Sequence, residues 1–240
     1  VARRALIASV RPSHILHFAW IATPRIYWTS PLNLLWRDAT LDLLAVAKTF
    51  GVERFVGAGT CAEYQWDSGI CDEQLTPIHP ATLYGQSKAE CGQSVIATHD
   101  VHTAWGRIFH LYGPYEHQSR LVSSIIVALL QGQRASCTHG KQIRDFLHVY
   151  DVASAFVALL KSDVCGAVNI ASGIPIKISD VVRSIAQHIG RPDLLDIGAI
   201  QTSSHEPASL LAVTDRLMKE VVWKPFFTLE KGISDSISWW

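Results

Sequence analysis

The sequence predicts an α/β protein whose parallel sheet is covered by helices on both faces. Two observations predict it. Short apolar strand signals alternate with amphipathic helical ones through the first two thirds of the chain, and that rhythm is the signature of a parallel sheet under helical layers. The composition supplies a core: 48% of the 240 residues are hydrophobic and 18% are charged, which excludes a disordered chain. The length fits one large domain, or one domain with a small lobe.

Each element has its own signal. Residues 13–19 (SHILHFA) read as a short buried strand. Residues 32–50 read as a helix, with Leu34, Leu35, Leu41, Leu44 and Val46 at helical spacing and Gly51 as its stop. Residues 54–58 (RFVGA) form the next strand, 84–99 a helix and 103–109 a strand. Leu121–Leu130 is an apolar helix ended by Gly132. Residues 151–160 are helical, and 167–171 form a strand ended by Gly173. Residues 179–189 form a helix with Ser179 as N-cap and Gly190 as stop. Residues 192–207 are the least regular stretch and read as a surface loop or part of a small lobe.

Several function classes are disfavoured. Lys and Arg total 21, Asp and Glu total 21, and the formal net charge is zero. Nothing in that balance attracts nucleic acid or an anionic membrane. No apolar run reaches the ~18–20 residues that span a bilayer. The five cysteines (Cys61, Cys71, Cys91, Cys137, Cys165) are odd in number and scattered, with no CxxC pair. They argue against a disulfide framework and a structural zinc, and fit a reducing cytosol. No His pair has the spacing and helical Glu of a zinc site, so no metal is expected. The chain starts Val-Ala-Arg-Arg-Ala, without an initiator Met or a signal-peptide core. It is therefore expected to be a fragment or a truncated product.

The strongest chemical signal is Tyr84-Gly-Gln-Ser-Lys88, with Thr60 lying 24 residues before the Tyr. Four residues apart on a helix, Tyr84 and Lys88 share one face. An ammonium there is expected to lower the phenol's pKa from about 10, so that it can move a proton to or from a sugar hydroxyl or ketone. Thr60 follows a strand at the carboxyl edge, where parallel sheets place ligands. Its hydroxyl can bond the same substrate oxygen. Tyr-x-x-x-Lys also arises by chance on amphipathic helices, and the pattern alone does not decide.

The surrounding segments do more. His14-Ile-Leu-His-Phe-Ala19 and residues 52–64 (VERFVGAGTCAEY) precede the catalytic-type helix Pro80-Ala-Thr-Leu-Tyr-Gly-Gln-Ser-Lys-Ala-Glu90. Arg107-Ile-Phe-His-Leu-Tyr-Gly-Pro114, Arg144-Asp-Phe-Leu-His-Val-Tyr-Asp151, Val168-Asn-Ile-Ala-Ser-Gly173 and the closing Trp223-Lys-Pro follow in order. Together they resemble the extended short-chain dehydrogenase/reductase superfamily, specifically its NAD-dependent epimerase/dehydratase family acting on nucleotide sugars.

That resemblance implies a Rossmann-like doubly wound sheet, N-terminally truncated, with a smaller α/β substrate lobe. It places the partial dinucleotide-binding domain at residues 1–111. The substrate lobe is mainly 112–240, with segments returning to the first domain. It implies Tyr84 as acid/base, Lys88 as its partner and a ligand of the cofactor ribose, and Thr60 as the substrate-orienting hydroxyl. NAD or NADP would lie along Phe18, Ala19, Asn33, Ala58, Tyr84, Lys88 and Phe109, with Tyr112 near the nicotinamide or the domain junction. A nucleotide-diphosphate sugar would meet Thr60, His110 and Arg144; the plainer role for Arg144 is a salt bridge to Asp145 or Asp151. A homodimer through the helices at 32–50 and 84–99 is the family's habit.

The departures matter too. The family's opening Gly-x-x-Gly-x-x-Gly turn occurs nowhere in the sequence. Roughly two βα units, about 30 residues each, are expected to be missing, which would leave cofactor binding weak and the chain poorly stable. Where dehydratases carry Asp-Glu after the Thr, this chain has Cys61 and Ala62, against a 4,6-dehydratase. Glu63 is one place late and is expected on the other side of an extended segment. His110 replaces a frequent Asn, Asn33 lies three residues from the family's usual Asn position, and Ser203 stands about where a second phosphate-binding Arg often falls. Trp28 and Ser30 read as an active-site loop. Trp20, Trp36 and Trp66 are candidates for the sugar site or for packing, and Cys61 for a second proton donor or a small buried residue. Two readings remain open: a sugar 4-epimerase or 4-keto-reductase, and a truncated inactive relative serving as a binding or scaffold subunit.

Overall fold

The computed structural model describes residues 2–67, 69–202 and 206–240. In chain order the first half contains α1 (Ala2–Val10), β1 (His14–His17), α2 (Leu32–Thr49), β2 (Arg54–Thr60), a 3-10 turn (Cys61–Glu63), β3 (Ile70–Cys71), α3 (Leu83–Ile96), β4 (His102–Ile108) and β5 (His110–Tyr112). The second half contains α4 (Leu121–Leu130), β6 (Ala135–Cys137), β7 (Ile143–His148), α5 (Val149–Lys161), β8 (Gly166–Ile170), β9 (Pro175–Lys177), α6 (Ile178–Ile189), β10 (Leu195–Ile197), β11 (Ser209–Ala212), a π-helical turn (Arg216–Glu220) and α7 (Leu229–Trp239).

All seven residues of β2 are buried, so the strand must be covered on both faces. It sits inside a four-stranded parallel sheet of order β1-β2-β4-β8. α2 and α3 pack on each other and α3 lies on β2 and β4, while α5 contacts all four strands. The expected parallel sheet between helical layers is therefore present. A second sheet runs β3-β11-β7-β5, all parallel, with β9 antiparallel on β7. Below it α4, α6 and α7 enclose a core that includes Ile126, Leu129, Val182, Ile185 and Ile233. β5 begins two residues after β4 ends, so the chain steps from one sheet to the other at Phe109.

Helix boundaries follow the local signals. Gly51, Gly132 and Gly190 adopt left-handed φ values of +70°, +69° and +76° just past α2, α4 and α6, the conformation that ends a helix at least cost to glycine. Ser179 does not cap α6. Ile178 is already helical, Lys177 is the N-cap and makes no side-chain bond, and the Ser179 hydroxyl turns to Asp180 instead. The strand expected at residues 54–58 is longer: β2 continues through Gly59 and Thr60. Residues 192–207 contain β10, which pairs in parallel with β6.

The joint between β2 and β4 depends on one carboxylate. Glu63 lies on the 3-10 turn, not on an extended segment, and its side chain folds back under the strand end. It is fully buried. It accepts from Thr60 N at 2.8 Å, Trp105 Nε1 at 2.9 Å and Arg107 Nε at 2.7 Å. Arg107 also donates to the Tyr64 hydroxyl at 2.9 Å. Gly59 makes room for this: a Cβ there would run into both the Trp105 indole and the Glu63 carboxylate.

Removing one partner of a buried ion pair strands the other. Glu63→Gln is expected to destabilise the fold by about 3–5 kcal/mol, read as a lower urea midpoint with an unchanged m-value. A loss below 1 kcal/mol would show that Arg107 is served by other groups.

Candidate active site

β2 delivers Thr60 to the carboxyl edge of the parallel sheet. The Thr60 backbone is extended, and its hydroxyl accepts from Ala62 N at 3.2 Å, capping the 3-10 turn. α3 starts opposite, capped by Thr82, whose hydroxyl accepts from Gly85 N. Gly85 lets the helix press on the turn, because a Cβ would strike the Ala62 carbonyl. That contact holds Tyr84 beside Thr60.

Tyr84 is half-buried. Its ring meets Tyr27 edge-on at 4.8 Å and Trp28 at 5.6 Å, and its backbone N–H donates to the Trp28 carbonyl. Burial pushes the phenol's pKa up, and a hydrogen bond with the Thr60 hydroxyl draws it partly back. This corrects the expected lowering by Lys88. One turn along the helix, the Lys88 ammonium is buried and committed elsewhere. Nζ donates to the Ala58 carbonyl at 2.6 Å and sits 3.9 Å from the centroid of Trp20. Burial lowers its pKa to about 8, against the pull of Glu63. Trp20 thus lies against a cation, and the cation shares the strand end with Tyr84.

The other expected cofactor residues divide. Phe18 and Ala19 are exposed just past β1, the Phe18 ring edge-on to Phe156 at 4.7 Å. Ala58 is buried and gives its carbonyl to Lys88. Asn33 is fully buried; its amide donates to the Tyr27 and Ser30 carbonyls, and its Oδ1 accepts from Trp20. It organises the loop carrying Trp28. Phe109 is buried among Cys61, Tyr64, Cys71 and Leu210, at the step between the sheets.

Among the expected substrate residues, His110 is held neutral. Burial first, then the charges of Arg144 and Arg120, lower its pKa to about 3. Its Nδ1 is buried without a partner among the described residues. Arg144 pairs with neither Asp145 nor Asp151. Its Nη2 donates to Glu206 at 2.8 Å and its Nη1 to the Ile143 carbonyl. Asp145 is taken by the Ser172 and Gly173 amides, and Asp151 by the amides of Phe226 and Phe227. The Cys61 thiol is pushed up to about 12 by burial and stays protonated. Beside Ala62 opens a cavity of about 720 Å³, lined by Trp66, His79, Thr82, Glu206 and Ser209 among others. Ser203 lies outside the described residues.

Residues 1–171 match the model of the NAD dependent epimerase/dehydratase family. The chain belongs to that family. It is 27% identical to UDP-glucuronic acid decarboxylase 1 of Xenopus tropicalis over 95% of its own length and 56% of the relative's. It is 26% identical to UDP-glucose 4-epimerase of Rhizobium leguminosarum bv. trifolii, over 98% of the chain and 79% of that protein. The solved structure of MoeE5 in complex with UDP-glucuronic acid and NAD superposes with a TM-score of 0.85 at 26% identity, covering 100% of this chain and 82% of that one.

Set in this epimerase/dehydratase frame, the site contains residues that the sequence reading missed. Tyr27 flanks Tyr84, and Arg120, at the start of α4, reaches over the Tyr27 ring at 5.4 Å and faces His110. Glu206 ties down Arg144. None of the three stands in a segment that carried the resemblance, and their approach is made by tertiary folding. Among the described residues no helix is long and apolar enough to cross a membrane, and no His/Cys/Asp/Glu group could hold a metal.

The Lys88 shift has a thermodynamic sign. A folded pKa of about 8, below the ordinary 10.5, means that between these values the unfolded chain binds the proton that the folded chain has released. Its contribution to stability therefore rises with pH from about 8 to 10.5. Lys88→Met is expected to remove this rise, measured as urea midpoints across that range. An unchanged slope would assign it to another group.

Proposed function

We propose that this chain is a nucleotide-sugar oxidoreductase working as a sugar 4-epimerase or a 4-keto-reductase through Thr60, Tyr84 and Lys88. The observation that carries the reading is the Tyr84 phenol beside Thr60 at the carboxyl edge of a parallel sheet, one helical turn from a buried ammonium. Thr60 orients the sugar oxygen. Tyr84, neutral as it stands, gives its proton to the alkoxide formed when a keto group is reduced, and takes it back in the reverse direction. Lys88 keeps positive charge at the strand end and eases that return.

The ribose and nicotinamide end of NAD or NADP suits the residues present. Among the described residues the Ala58 carbonyl is the one protein acceptor of the Lys88 ammonium, which leaves N–H groups for ribose hydroxyls. Phe18, Ala19, Ala58, Tyr84 and Lys88 would hold the ribose and nicotinamide end, with Asn33 and Phe109 shaping its walls. When bound, the cofactor supplies and accepts the hydride. Where a dehydratase needs an acid and a base after the Thr, Cys61 is a protonated thiol and Ala62 is inert, which favours the epimerase or reductase.

His110 and Arg144, with Arg120 added by the structure, are the substrate-lobe groups for a nucleotide diphosphate. We place the catalytic part at residues 1–111 and the substrate lobe mainly at 112–240, with α5 and β8 returning to the first sheet. A cytoplasmic homodimer formed on the outer faces of α2 and α3, where Leu34 and Leu35 are exposed, completes the reading.

Tyr84→Phe tests it. In a version that carries the family's glycine-rich turn, with UDP-glucose and NAD, turnover is expected to fall on the order of 10²–10⁴-fold while the Kd for the sugar nucleotide stays near the parent value. Near-normal turnover in the variant would remove Tyr84 as the acid/base. Parent protein inactive on UDP-hexoses with either cofactor, yet binding them, would favour a binding subunit.

A further inference from the structure

The cation offered to a phosphate already has an anion, and that anion comes from the chain itself. Arg144 is buried on β7, with 4% of its side chain exposed, while its partner Glu206 is 32% exposed at the wall of the 720 Å³ cavity. Both Glu206 oxygens are engaged: Oε1 accepts from Arg144 Nη2 at 2.8 Å and Oε2 from Gln142 Nε2 at 3.0 Å. Arg144 is held on its strand by the Ile143 carbonyl. Glu206 instead precedes β11 on an irregular segment. Of the two partners, the carboxylate is the one not held on a strand.

Two buried polar atoms stand unsatisfied beside this pair. The Gln142 Oε1 and the His110 Nδ1 have no partner among the described residues. Buried polar atoms normally find one; a ligand hydroxyl can donate to Gln142 Oε1, and can donate to or accept from His110 Nδ1 according to the imidazole tautomer. The surroundings of Arg144 are thus built for a ligand bearing hydroxyls as well as charge, but the charge-binding position is taken.

We propose that Glu206 is the specificity-determining residue of this cavity, a rival anion that occupies Arg144 and must be displaced before a ligand phosphate can use it. The inference rests on the nucleotide-sugar reading above. A carboxylate and a phosphate cannot share one buried guanidinium without facing each other as like charges. A singly charged or loosely placed anion gains too little to expel Glu206. A diphosphate anchored by its nucleoside at one end and its sugar at the other gains enough. The carboxylate thereby rejects free phosphate and favours the complete diphosphate ligand.

The test is calorimetric titration of the full chain with UDP, and with uridine as the uncharged probe. Glu206→Gln keeps the size and hydrogen-bonding reach of the side chain and removes its charge. It is expected to bind UDP about tenfold more tightly than the parent, with uridine affinity unchanged and the gain shrinking at high salt. Arg144→Gln is expected to lose UDP binding in both backgrounds. If the Gln variant proves unstable, Glu206→Asp, which withdraws the carboxylate by one methylene, is expected to show a smaller gain in the same direction. Equal or weaker UDP binding by the position-206 variants, with binding still dependent on Arg144, would overturn the rival-anion role and leave the proposed function standing. UDP binding unaffected by Arg144→Gln would overturn it as well. No UDP binding by any of the proteins would overturn the nucleotide-sugar reading and this proposal with it.

Discussion

The site hangs from the Glu63 carboxylate. A buried carboxylate is tolerated only when its lone pairs are taken by good donors, and Glu63 has three, from the strand end, from Trp105 and from Arg107. These donors come from β2 and β4, so the same group that closes the turn after β2 also locks the two central strands together. The consequence reaches Thr60. With its N–H fixed by Glu63 and its hydroxyl accepting from Ala62 N, the Thr60 side chain is oriented at the end of β2, beside Tyr84. The order of causation runs from a structural ion pair to a hydroxyl's direction.

Burial rather than neighbouring charge sets the protonation of the site. The Tyr84 phenol rises, the Lys88 ammonium falls to about 8, His110 falls to about 3 and the Cys61 thiol climbs to about 12, and in each case desolvation is the leading cause. Every one of these shifts favours the neutral form. The Arg side chains cannot follow them, so Arg107, Arg144 and Arg54 remain charged and must be served internally. Arg107 takes Glu63, Arg144 takes Glu206, and Arg54 takes the carbonyls of Leu159 and Val164.

How far the sequence could be read follows from what kind of contact each feature needs. Most long elements were legible because their signals are local: the apolar spacing along α2 and the glycine stop after α6 act within a few residues, whereas α7 (Leu229–Trp239) was not read. The seven short strands β3, β5, β6, β7, β9, β10 and β11 were not: strands of two to six residues carry little periodicity, although length alone does not set them apart from β1 and β8, which are as short and were read. β7 in addition buries an Arg, an Asp and a His, whose burial is decided by distant partners. The same division holds at the site. Thr60, Tyr84 and Lys88 sit in segments with their own pattern and were found there. The Lys88 contact with the Ala58 carbonyl was not foreseeable from helix spacing, which places two side chains on one face but cannot say that a third element will claim one of them.

The two ends of the site therefore differ in kind. At the Thr60 and Tyr84 end the groups are neutral or weakly basic and are placed by α3 and the turn after β2, so in the proposed function they receive a sugar oxygen without rearrangement. At the Arg144 end the buried guanidinium is already paired with Glu206, so in the proposed function an anionic ligand reaches it by exchange of partners rather than by filling a gap. Exchange lets the chain fold without an uncompensated buried guanidinium, and it makes affinity depend on the difference between two ion pairs rather than on one. Small changes at position 206 should then move substrate preference more than changes of equal size around Tyr84, where the geometry rather than the charge balance is at stake.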